Sequence, residues 1–277
     1  MSQTTSKKKA PGVIGTCINN RTLIMRLAKN DFKNRFAGSY LGAVWAFVQP
    51  VVTVFMYYIV FDKIFQSRSE AMAGEMPIPY VLFLTAGLVP WFFFNEGIMN
   101  GVLALIQYNY LVKKVVFNID VLPVIKVVAA GFIHLFFILV LLVVGCIYGY
   151  FPGLYTLQLV YYCFCLFTLI LAFSYLNAAV VVFFKDLQQI LAIGLQIGMW
   201  ATPVLWNIGK LPAVWQTILR INPMCYIIEG YRDSVCGSGY FFDKPWYTLY
   251  FWCFTLVFMW IGRKVFLKLK VHFADVL

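Results

Sequence analysis

Apolar residues fall into long blocks separated by short polar stretches along this chain. Six blocks stand near Leu41–Phe61, Tyr80–Ile106, Val124–Tyr148, Leu157–Phe184, Leu187–Leu205 and Trp246–Phe266. Each approaches or exceeds the roughly 20 residues that a helix needs to cross a bilayer core. Runs of this length are far too long for barrel strands, so the spans are predicted to be helices, which satisfy their own backbone polar groups in lipid. Pro50, Pro90 and Pro203 lie inside or near the ends of spans, where neighbouring groups must accommodate kinks.

Two stretches outside these blocks carry their own pattern. Residues 1–18 form a basic tail, and 19–38 read as an amphipathic helix. There Thr22, Arg26, Lys29 and Lys33 form one polar stripe, opposite Leu23, Ile24, Leu27, Phe32 and Phe36. This is the pattern of a helix lying along a membrane surface or, more plainly, of a basic juxtamembrane segment. Arg35 projects into the apolar arc just before the first span. A guanidinium there suits either bidentate capture of phosphate or snorkelling to headgroups. In 207–245 the apolar runs are too short to span. Asn222-Pro223 reads as N-cap and first helical residue, and Cys236-Gly237 as a stop. Two short helices dipping back into the outer leaflet are expected.

Composition confirms lipid as the solvent: 62% of the 277 residues are hydrophobic and 12% charged, against about 25% charged in soluble domains. The net charge of +11 is not spread as a nucleic-acid surface would be. With the N-terminus inside, internal segments hold sixteen of the 22 Lys and Arg residues, so both termini are expected in the cytoplasm. The six external ones (Lys63, Arg68, Lys210, Arg220, Arg232, Lys244) are offset by Asp62, Glu70, Glu75, Glu229, Asp233 and Asp243. The first span, behind a basic segment, reads as a retained helix rather than a cleaved leader. The seven cysteines show no metal spacing; Cys225 and Cys236 either pair or stay as apolar thiols.

No phosphate-binding G-x-x-x-x-G-K-[ST] loop, H-E-x-x-H or G-x-S-x-G motif occurs, and no catalytic or metal site is expected. Work done by this chain must therefore draw on a partner or a gradient. The deep ionisable groups are Glu96, flanked by Asn95 and Asn100, and His134. Glu96 admits a structural and a functional reading equally, and His134 reads as a packed residue. Spans so poor in acids argue against an ion-driven carrier. The many rings near span ends fit an interfacial belt.

Three motifs, in order, resemble one family. Asp31-Phe32-Lys33-Asn34-Arg35-Phe36-Ala37-Gly38-Ser39-Tyr40-Leu41-Gly42-Ala43-Val44-Trp45 with Gln49-Pro50 is similar to the start of the first span in type-2 ATP-binding-cassette exporter permeases. Leu111-Val112-Lys113-Lys114-Val115-Val116-Phe117, closing at Leu122-Pro123, resembles their loop between the second and third spans. Asn222-Pro223-Met224-Cys225-Tyr226-Ile227-Ile228-Glu229-Gly230-Tyr231-Arg232-Asp233 resembles their external signature. Within the family, the chain most resembles exporters of lipid-linked polysaccharides, and Trp91-Phe92-Phe93-Phe94-Asn95-Glu96-Gly97 leans towards the teichoic-acid branch, with O-antigen next.

The resemblance implies an all-α permease domain over 39–277 with six transmembrane helices. It makes 19–38 an interface helix, 107–122 a cytoplasmic coupling loop and 207–245 an external gate. Arg26, Lys29, Tyr110, Lys113 and Lys114 would meet a separate cytoplasmic ATPase, present in two copies and carrying ATP and magnesium; this chain itself would hold no cofactor. Asn222, Pro223, Glu229 and Arg232 would form the gate, with Glu229 and Arg232 paired at i, i+3. Six helices enclose too narrow a path for a polymer, so a second copy of the chain is expected, with the first and fifth spans framing a lateral opening. Arg35 and Lys33 would receive the substrate pyrophosphate, and Trp45, Tyr57, Tyr58 and Trp200 would stack on its sugars. The rivals are a same-fold exporter of drugs or lipids and a membrane-embedded transferase acting on lipid-linked sugars. The transferase should show acidic or histidine pairs at the membrane boundary, and Asp31, Asp62, Asp120 and Asp186 do not cluster in sequence.

Overall fold

The computed structural model describes residues 13–35, 37–64, 72–73, 76–113 and 117–277. The architecture is helical. A short helix α1 (Val13–Asn19) leads into α2 (Arg21–Arg35), which lies against the rest of the chain. Ile24 and Ala28 form its buried seam, while Arg26, Lys29 and Lys33 face outward. Then follow α3 (Trp45–Tyr57), running on into a π-helical stretch Tyr58–Ile64, and α4 (Tyr80–Val102). A two-residue antiparallel ladder, Met72–Ala73 with Met76–Pro77, lies between them. Two single turns, α5 (Ala104–Gln107) and α6 (Asn109–Val112), precede α7 (Leu122–Ile147). The chain continues through α8 (Gln158–Val181), α9 (Leu187–Ala201), α10 (Ala213–Arg220), α11 (Pro223–Cys236), α12 (Pro245–Leu269) and α13 (Phe273–Val276).

Among the described residues, four helices are long and apolar enough to cross a membrane, those centred on α4, α7, α8 and α12. The predicted first and fifth spans form shorter apolar helices, Trp45–Phe61 and Leu187–Ala201. The fifth ends at Ala201 rather than Leu205 because Pro203 forces Thr202 out of the helical region, to ψ 144°. The second ends at Val102 rather than Ile106, at a kink centred on Leu103. Phe36 and Lys114, both singled out in the sequence, lie outside the described residues.

The core lies where α4 packs between α7 and α8, with α12 on the far side of α8 and α2 against α7. Lipid tails are as apolar as these side chains, so such packing is held by van der Waals contact and internal hydrogen bonds rather than by escape from water. Buried tyrosines supply several of those bonds. The Tyr175 hydroxyl donates to the Asp120 carbonyl at 2.8 Å, tying α8 to the start of α7. Outward faces of α3, α9 and α12, including Phe55, Ile193, Ile197 and Leu256, remain exposed and apolar.

The segment 207–245 shows how local sequence fixes a tight structure. Asn222 accepts the Met224 amide at 3.0 Å, Pro223 fills the first helical position, and Gly237 ends α11 at φ 70°. Asn222 also donates to the Thr202 hydroxyl at 2.9 Å, so the cap holds α11 to the turn after α9. Beyond Pro203 the Val204 and Leu205 carbonyls have left any helix and need donors. Arg232 donates to Val204 O at 2.7 Å and to Phe83 O at 3.3 Å, and the Tyr80 hydroxyl donates to Leu205 O at 2.8 Å.

That arrangement corrects the expected Glu229–Arg232 pair. Arg232 is 8% exposed, its guanidinium 3.5 Å above the Phe83 ring, and it serves backbone carbonyls. Glu229 turns instead towards Arg220 and Lys244, at 3.7 and 3.9 Å. Cys225 and Cys236 are separate buried thiols.

Candidate functional site

Where α2 ends and α3 begins, a cavity of about 370 Å³ opens between α3, α4 and α7. Two helical repeats build it. On α4, Phe92, Asn95, Glu96, Met99 and Asn100 recur at three- and four-residue steps and share one face. On α3, Trp45, Gln49 and Thr53 recur at four-residue steps and face them. The result is a band of amides, a hydroxyl and one carboxylate within otherwise apolar helices.

Arg35 closes the cavity at its end. Its guanidinium makes an ion pair with Glu96, and the Asn100 amide lies 3.5 Å from the same carboxylate oxygen. The two partners are unequally placed: the Arg35 side chain is 44% exposed and that of Glu96 18%. The base therefore stands at the mouth and the acid within. A guanidinium offers five donors in a planar fork that matches phosphate geometry. An anion arriving at the mouth can share or take over that fork, which is the chemistry of reversible phosphate capture.

Of the residues singled out in the sequence, Arg35 and Trp45 meet here, and Glu96 joins them. Lys33 is exposed on α2 and does not line the cavity. Tyr57 packs near Phe61, with ring centres 6.1 Å apart, and Tyr58 lies under Lys63 at 5.4 Å. Trp200 stands exposed on α9, its carbonyl accepting the Trp206 indole N–H at 3.1 Å. These three rings lie outside the cavity. Arg26, Lys29, Tyr110 and Lys113 are exposed on α2 and around α6.

A second polar cluster had no counterpart in the sequence reading. Lys126, near the start of α7, pairs with Asp31 of α2 and donates to the Gln107 side-chain oxygen of α5 at 2.5 Å. The Tyr108 hydroxyl donates to Asp31 at 2.8 Å, and the Lys126 ammonium lies 4.9 Å from the Tyr108 ring centre. Burial, and then the Asp31 charge, push the Tyr108 phenol above its ordinary range, so it remains a donor at neutral pH. The signal was available: Asp31 is the one acid of α2, and Lys126 the one cation in the apolar run of α7. Nearby, Lys270 pairs with buried Asp120 at 2.5 Å and ties the C-terminal segment to the α7 start. Among the described residues, no group of three His, Cys, Asp or Glu side chains forms a metal site.

The fold is thus, among the described residues, a bundle with four helices apolar enough to cross a membrane and two polar clusters at one end. Residues 22–235 match the ABC-2 type transporter family, and the chain belongs to it. Permeases of this family work with a cytoplasmic ATPase. Among its relatives, the O-antigen export system permease protein RfbA of Klebsiella pneumoniae is 27% identical over 260 residues, covering 92% of this chain and 95% of the relative. The protein of the same name from Myxococcus xanthus is 27% identical, with the same coverage. The polysialic acid transport protein KpsM of Escherichia coli is 25% identical, covering 89% of this chain and 93% of the relative.

Proposed function

We propose that this chain is the permease of an ATP-driven exporter of lipid-linked polysaccharide, and that the Arg35–Glu96 cavity receives the pyrophosphate of its substrate. The observation that carries the reading is the exposed guanidinium of Arg35 at the mouth of a polar cavity inside apolar helices. The pyrophosphate exchanges with Glu96 for the Arg35 fork. The first sugars then meet the Trp45 ring and the amides of Gln49, Asn95 and Asn100. Relatives named for O-antigen export and polysialic acid transport support a sugar polymer as cargo. The teichoic-acid lean rests on sequence motifs alone, so the class adopted is the one both branches share.

In this reading ATP and magnesium stay on two copies of the partner ATPase, which drive two copies of this chain through contacts at Arg26, Lys29, Tyr110, Lys113 and Lys114. Both termini lie in the cytoplasm, and Asn222, Pro223, Glu229 and Arg232 belong to an external gate.

The test is purification with co-expressed neighbours, followed by export in proteoliposomes. An ATPase should co-elute at equal stoichiometry, and Arg35→Glu should abolish export while Lys8→Glu leaves it intact. A chain that elutes alone and fully active, or equal effects of the two reversals, overturns the reading.

A further inference from the structure

A second charged cavity lies at the end of the bundle opposite Arg35. Where α10, α11 and the start of α12 meet, a cavity of about 520 Å³ is lined by Thr217, Arg220, Glu229, Lys244 and Trp246, among others. That volume falls within the roughly 300–1,000 Å³ of small-ligand sites.

Its charge is unbalanced. Arg220 and Lys244 face one carboxylate there, Glu229, at 3.7 and 3.9 Å. A neighbouring cavity shares these three residues and adds Arg232 and Asp233. Across the two, Arg220, Arg232 and Lys244 stand against Glu229 and Asp233, one positive charge in excess. Arg232 spends its donors on the Val204 and Phe83 carbonyls, and Lys244 holds Asp233 at 2.9 Å. Arg220 is committed to neither kind of partner. Its side chain is 46% exposed and makes no hydrogen bond among the described residues, since Glu229 stands beyond hydrogen-bond length. The excess charge therefore sits on a guanidinium whose fork is open, and that fork fits phosphate oxygens two at a time.

The depth of the cavity narrows the ligand further. Trp246 on its rim is 82% exposed, and Trp215 of α10 is 57% exposed. Thr217, Arg220 and Ile221 turn to the cavity, while Val214, Trp215 and Ile218 stand exposed on the adjoining face of α10. No residue of that helix is buried. A helix with a bare apolar face and a basic end rests in the headgroup layer, where its cations meet anionic lipid. Tryptophans at the start of a membrane helix such as α12 mark the same layer. The anions held at that depth are lipid phosphates.

The arrangement also repeats the one at the opposite end. Arg35 is 44% exposed over Glu96 at 18%, and Arg220 is 46% exposed over Glu229 at 15%. Each is a half-exposed guanidinium beside a recessed carboxylate.

We infer that the Arg220 cavity binds the phosphate of a lipid at the membrane boundary opposite Arg35. That this lipid is the carrier of the exported polymer rests on the export reading above; that the cavity takes a lipid phosphate does not.

The experiment uses the full chain with its ATPase, delipidated in detergent and without nucleotide. Phosphatidylglycerol, geranylgeranyl pyrophosphate and geranylgeraniol are titrated separately, and bound lipids are counted by native mass spectrometry. Arg220→Gln removes a side chain that makes no hydrogen bond in the fold, so the variant should remain folded. It should weaken one binding event per chain by about tenfold for at least one phosphate-bearing lipid. Arg220→Lys, which keeps charge without the fork, should fall between, and geranylgeraniol should show no difference between wild type and variant. An effect with phosphatidylglycerol makes the ligand a lipid of the surrounding bilayer, and one with geranylgeranyl pyrophosphate a diphosphate lipid of the cargo's type; either supports the site. Equal binding of both phosphate-bearing lipids by wild type and Arg220→Gln, or an equal loss with geranylgeraniol, overturns it and leaves the export reading untouched. Arg35→Gln should spare the Arg220-dependent event, so failure at one end is separable from failure at the other.

Discussion

Lys126 and Asp31, 95 residues apart in sequence, form a nearly enclosed ion pair that joins α7 to α2. Only 5% of the Lys126 side chain is exposed, and Gln107 of α5 completes its shell. Three elements at one end of the bundle are therefore tied together by side-chain contacts. Polar contacts thus join α2 and the turn at Gln107 directly to α7, with no loop between.

Removing one member of this cluster should be far worse than removing both charges. Lys126→Met strands the Asp31 carboxylate and is expected to cost about 3–5 kcal/mol. The double change Asp31→Leu with Lys126→Met should recover much of that loss in thermal unfolding. If the pair transmits force, the double variant should fold yet hydrolyse ATP with its partner without matching export. Normal coupling in a well-folded double variant would reduce the pair to a structural tie.

Gly87 lets α4 approach the turn after α9. A Cβ there would lie 2.6 Å from the Val204 carbonyl oxygen and 2.8 Å from an Arg232 guanidinium nitrogen. Gly87→Ala should therefore push Arg232 off its carbonyls and destabilise the protein by about 1–3 kcal/mol. Arg232→Lys, which keeps charge but loses the fork, should be similarly harmful. Thermal melts of the two single variants and the double variant should show strong non-additivity.

In the proposed pyrophosphate exchange Glu96 would compete with substrate for Arg35, so neutralising it should tighten anion binding. Glu96→Gln is expected to lower the dissociation constant for geranylgeranyl pyrophosphate, and Arg35→Gln to raise it. Both are read by titration in nanodiscs. Tighter binding in Glu96→Gln with slower export would fit a carboxylate needed for release. Unchanged affinity would remove Glu96 from the exchange.

Asn222 caps α11 and ties it to Thr202. Asn222→Ala loses both bonds and should cost about 1–2 kcal/mol in a thermal melt. Thr202→Val, which removes only the tie, should cost less.

What the sequence made legible divides along physical lines. Helices announced themselves through apolar run length, and the α11 cap through Asn222-Pro223 and Gly237, because these depend on neighbours in the chain. The Arg35 position was legible from its place on the apolar arc. Its partner was not, because Glu96 lies 61 residues away and only packing of α2 near α4 joins them. The Glu229–Arg232 expectation failed for a related reason. Helical spacing allowed the pair, but Pro203 releases carbonyls that claim the guanidinium first. Lys33, Tyr57 and Tyr58 lie near the cavity residues in sequence but not in its walls, and Trp200 stands apart on α9, since composition says nothing of which face a side chain takes.

The short α9 has a consequence for the lipid around it. Its 15 residues rise about 22 Å, against a hydrocarbon thickness of about 30 Å. A bilayer meeting that wall must thin, or the helix must find other cover, at a cost of fractions of a kcal/mol per ångström of mismatch. A polar headgroup passing beside α9 is thus expected to cross less hydrocarbon than one passing beside α4, α7, α8 or α12.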